Sequence, residues 1–99
     1  MTREQILEIV INNLKSLVDT FPENQKFEVD KDSVLFGNGS NIDSLSLVSV
    51  IIDLETLFYD EYGYEISLTD DRAMTREISP FENVSSLADY IFELINENA

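Results

Sequence analysis

The segment from Ile42 to Phe58, IDSLSLVSVIIDLETLF, constrains the fold more than any other stretch of this chain. At roughly 100° per residue, Leu47, Val50, Ile51, Leu54, Leu57 and Phe58 fall within one arc of a helix. Leu45, Val48 and Ile52 fall on the opposite side, bordered by Ser49, Asp53, Glu55 and Thr56. A chain of 99 residues has room for one core, so both arcs cannot face it. Either another segment folds over the second arc, or the helix shows solvent an apolar strip rimmed by acids, of the kind that docks into grooves on other proteins.

The remaining elements follow from spacing and caps. Thr2 and Gln5 form the pattern of a capping box, and Leu7, Val10, Ile11, Leu14, Leu17 and Val18 recur at helical intervals, predicting a helix over Arg3 to Val18. Periodicity then stops until Asp43, and Pro22, Gly37 and Gly39 mark a long loop. A free loop of that length is uncommon in a small domain, so Phe27, Val29, Val34, Leu35, Phe36 and Ile42 are expected to pin it to the helices. Asp43 is the expected N-cap of the second helix and Gly63 its stop. Thr69, with Asp70 and Asp71 in a first turn, predicts a short third helix through about Met74, closed off by Pro80. Asn83 caps a last helix on which Val84, Leu87, Ala88, Ile91, Leu94 and Ile95 share a face. No strand is predicted. The expected architecture is all-α, a small bundle of three main helices plus one short one, with residues 1–99 as a single domain.

Composition narrows the chemistry. The apolar fraction of 43% can fill one modest core without metal or disulfide staples. There is no cysteine and no histidine, which removes Ser/His/Asp, Cys/His and His-metal chemistry together. A net charge of −14 disfavours phosphate backbones and anionic membranes as partners and favours basic protein surfaces. The acids crowd the middle of the chain, where no Lys or Arg occurs between Lys31 and Arg72. No apolar run is long enough to cross a bilayer and the N-terminus is too polar for a signal peptide, so a soluble cytoplasmic monomer is expected.

Ser44 stands at the start of the two-sided helix, beside Asp43 and after the loop GNGSN. Unpaired N–H groups and the positive end of the helix dipole favour an anion attached there. Taken alone, Asp-Ser-Leu is an ordinary helix-capping tripeptide. The longer run LFGNGSNIDSLSLVSVIIDLETLF, with GYEISLTDD and ENVSSLADYIFELI after it, resembles the acyl carrier proteins.

That resemblance implies a non-catalytic carrier. A phosphopantetheinyl transferase would attach 4'-phosphopantetheine from coenzyme A to Ser44, and the arm's thiol would hold acyl groups as thioesters. The same resemblance places Asp43, Leu45, Val48, Ile52 and Glu55 where partner enzymes with basic docking surfaces would meet the helix. Ser46, Ser49 and Thr56 stand where fatty-acid carriers usually have acids, and the loop before Ser44 and the segment DDRAMTREISPFENV are longer than usual. These departures point to a stand-alone carrier for a dedicated pathway. Its cargo is left open among fatty acyl, hydroxyacyl, polyketide and aminoacyl units. The alternatives are an aminoacyl or peptidyl carrier and an acidic interaction module that is never modified. An EF-hand at DKDSVLFGNGSN fails because Val34 and Asn41 occupy ligand positions of the loop.

Overall fold

Thr2 opens the first helix, α1 (Arg3–Val18), through the expected capping box. Its hydroxyl accepts the Gln5 N–H at 3.2 Å, and the Gln5 side chain accepts the Thr2 N–H at 2.8 Å. Two of the helix's early N–H donors are thereby settled locally. The computed structural model describes residues 1–35, 42–68 and 80–97. Within them the chain is all-α, with α2 spanning Ser44–Tyr62, α3 spanning Val84–Glu97, and a single 3-10 turn at Glu23–Gln25. The short helix expected from Thr69 lies outside the described residues, as do Phe36 and the loop from Gly37 to Asn41.

The close backbone approaches are those of α1 with α3 and of α1 with α2, so α1 is the hub of the core. It turns the row Ile6, Val10, Leu14 and Val18 inward, while Leu7, Ile11 and Leu17 are only half-buried. Helical spacing from Leu7 onward puts these flanking residues on the core face and leaves out Ile6. Tertiary contacts fix the rotation. The Arg3 guanidinium, one turn before Ile6, donates to the Ser85 hydroxyl at 2.7 Å and pairs with Asp89, locking this side of α1 onto α3.

The start of α3 shows how the long loop is held. An α-helix leaves its first four N–H groups without internal partners. Here the Val84 N–H donates to the Ser33 carbonyl at 3.1 Å and the Ser85 N–H to the Lys31 carbonyl at 2.9 Å. Asn83 supplies the rest, its side-chain oxygen accepting the Ser86 N–H at 2.8 Å and its carbonyl the Leu87 N–H at 3.1 Å. An isolated antiparallel bridge, Val34 with Asn83, extends this pairing. Val29, Leu35 and Ile42 are buried, as expected of residues that pin the loop, and Phe27 packs half-buried against the core. The approach to α2 is therefore anchored at Leu35 on one side and Ile42 on the other.

α3 buries Val84, Leu87, Ala88, Ile91, Leu94 and Ile95 on one face, with Tyr90 beside them. No described helix is long and apolar enough to cross a membrane.

Candidate functional site

Asp43 starts α2 as expected. Its carboxylate accepts the Ser46 N–H at 2.7 Å, and its carbonyl accepts the Leu47 N–H at 3.0 Å. The bond from the Ser46 backbone, reinforced by the Ser46 side chain, holds the exposed Asp43 carboxyl below the usual carboxylate range. An ionised cap at this end also complements the helix dipole. Ser44 is the first residue of the helix, between exposed Asp43 and Leu45, which keeps 78% of its surface in solvent.

Six inward positions were predicted for α2, and five of them, Leu47, Val50, Ile51, Leu54 and Phe58, are buried. Leu57 is half-buried at the edge. On the other side Val48 and Ile52 are 49% and 54% exposed. Among the described residues, then, nothing folds over Leu45, Val48 and Ile52, and the strip is open. It rises from Ser44 over about 12 Å of helix, at 1.5 Å per residue.

The helix runs one turn beyond Phe58 and stops at Gly63, whose φ of 74° lies in the left-handed region that favours glycine. The Gly63 N–H returns to the Tyr59 carbonyl at 3.1 Å, and that of Tyr64 to the Phe58 carbonyl at 2.9 Å. This extra turn carries Tyr59 and Tyr62, both exposed. Leu45, Val48, Ile52, Tyr59 and Tyr62 are the exposed large apolar side chains of the described residues, and all belong to α2. The apolar arc predicted from the sequence ends at Phe58 and so leaves out both tyrosines. The spacing of three and four residues from Leu45 onward, continued past Glu55, reaches both.

Glu55 stands apart from the other expected partner residues. Its Oε2 accepts the Leu68 N–H at 2.8 Å, and Leu68 itself is fully buried. One role of this carboxylate is therefore internal, tethering the segment after α2. Beside it a hollow of about 270 Å³ is lined by Glu55, Thr56, Tyr59, Asp60, Glu65 and Ile66. The helix as a whole contains no Lys or Arg. The arrangement offers an open apolar strip on an acidic helix, with a serine at the strip's starting end. No family model matches the chain, and no curated protein or solved structure matches it significantly.

Proposed function

We propose that the chain is a stand-alone carrier protein of the acyl-carrier kind, working in the cytoplasm, with Ser44 as the attachment point of 4'-phosphopantetheine. One observation carries the reading: the open strip of Leu45, Val48 and Ile52 starts at the residue next to Ser44. A protein that is handed from enzyme to enzyme needs a docking surface beside its attachment point, and a small fold does not leave three aliphatic side chains in solvent for its own stability.

The surroundings of Ser44 fit the group. Exposed residues on both sides leave room for a transferase, and the helix terminus favours the phosphodiester that would join arm to serine. When bound, the arm supplies a thiol, a function that this cysteine-free chain lacks. The chain's own residues do the rest. Asp43 fixes the start of α2, Leu45, Val48 and Ile52 meet the partner, and exposed Asp53 and Asp60 steer basic surfaces toward them. The partners are a phosphopantetheinyl transferase and enzymes that load or transfer acyl groups. Serines at 46 and 49 and threonine at 56 thin the acids along this face, which favours a dedicated set of enzymes over general fatty-acid synthesis.

Incubation with coenzyme A and a broad-specificity transferase tests the reading. Wild type gains the mass of one phosphopantetheine, and Ser44→Ala gains none. An unmodified wild type, or modification at Ser46 or Ser49 instead, overturns it and leaves an interaction module.

A further inference from the structure

A second surface lies between α1 and α2, shares none of Leu45, Val48 and Ile52 with the strip, and meets the exposed apolar side chains of α2 only at Tyr62. Two hollows of about 270 and 260 Å³ have Ile9, Asn12 and Tyr62 in common and so join into one groove. Ile9 and Leu57, both half-buried, line its apolar part. The Tyr62 ring forms a wall and is positioned by Phe58, which is fully buried and lies 5.9 Å away between centroids. Glu8 and Glu61 stand on opposite sides, one on each helix, and Asn12 and Asn13 add amides that both donate and accept.

We infer that this groove is a docking site for a partner segment in which an arginine or lysine stands next to an apolar side chain. Charge complementarity selects this occupant. Neither Glu8 nor Glu61 pairs with a basic side chain among the described residues, and no Lys or Arg lines the groove. Tyr62 lines both hollows, so a cation held there by either carboxylate shares the groove with an aromatic ring, whose quadrupole attracts cations. The apolar neighbour fits over Ile9 and Leu57, and the amides suit an extended backbone. A second copy of the chain is a poor occupant, because at −14 each it would bring like charges together. The site does not depend on Ser44, so it stands or falls separately from the carrier reading.

NMR titration of the full chain with a blocked tetrapeptide alternating leucine and arginine tests the assignment, with a leucine-glutamate peptide as control. The arginine peptide shifts the side-chain amides of Asn12 and Asn13 and the resonances of Tyr62, and the glutamate peptide does not. Glu8→Gln with Glu61→Gln weakens binding by roughly three- to thirtyfold, the range for losing two exposed ion pairs. Both glutamates are polar residues at the surface or groove edge, so the double variant keeps its fold, which an unchanged melting temperature verifies. Shifts centred on Leu45 to Ile52, shifts spread evenly over the acidic surface, or an affinity unchanged within about twofold in the double variant would each overturn the inference.

Discussion

α2 and α3 are both apolar helices on the same hub, yet they dispose of their side chains differently. α3 turns Val84, Leu87, Ala88, Ile91, Leu94 and Ile95 inward and exposes no large apolar residue. α2 satisfies the core with Leu47, Val50, Ile51, Leu54 and Phe58 and still shows Leu45, Val48, Ile52, Tyr59 and Tyr62 to solvent. Among the described residues the core takes one arc from each helix and leaves the second arc of α2 exposed. On the proposed reading that arc serves a partner.

Core truncations are the strongest way to break this contrast. Leu54→Ala in α2 and Leu87→Ala in α3, both at fully buried positions, each lose about 2 to 5 kcal/mol in urea unfolding. Ile52→Ser, on the outward arc, changes stability by less than about 0.5 kcal/mol. A loss at Ile52 as large as that at Leu54 would mean that the strip is covered in solution.

The end of α2 gives the next largest effect. Gly63→Ala forces a Cβ into a left-handed conformation and costs about 1 to 2 kcal/mol, read from the same unfolding curves. No neighbour crowds that position, so the loss reports backbone strain alone. Glu55→Ala leaves the Leu68 N–H without its acceptor and costs about 1 kcal/mol, with faster hydrogen exchange at Leu68. Unchanged exchange there would return Glu55 to the partner surface alone.

Asp43 supplies the smallest effect, one that depends on pH. Its carboxyl is held low by the Ser46 N–H, so its stabilising contribution is fully present above the ordinary carboxylate value of about 3.9 and is lost as pH falls through the lower folded value. Asp43→Asn keeps a capping acceptor but carries no charge. Thermal melts of the two proteins therefore converge in acid and separate slightly above about pH 4, wild type being the more stable.

Caps and stops were legible in the sequence because each is a local event. Thr2 with Gln5, Asp43 before Ser44, Asn83 before Val84 and Gly63 after Tyr62 all act within a few residues of the side chain that signals them. The rotation of α1 was not legible. Apolar residues at 6, 7, 9, 10, 11, 14, 17 and 18 permit several faces, and Arg3 reaching Ser85 and Asp89 selects one. The pairing of Lys31 and Ser33 with the start of α3 was equally hidden, since backbone carbonyls and N–H groups have no side-chain signature and the partners are far apart in sequence. Glu55 shows the same limit at the candidate site, because a free surface carboxylate and one bound to Leu68 read alike in one sequence. The strip is legible in the sequence as an arc, but its exposure among the described residues is a matter of packing, which the arc does not encode.

The division of labour within α2 is most directly tested by measuring kcat/KM for phosphopantetheine transfer to the doubly altered chain Val48→Ser with Ile52→Ser, together with its melting temperature. If the strip is the docking surface beside Ser44, the double variant melts close to wild type and is modified at least about tenfold less efficiently, the equivalent of about 1.4 kcal/mol of lost contact. A variant that melts much lower yet is modified as efficiently as wild type would show that these side chains serve the fold, and would contradict the account.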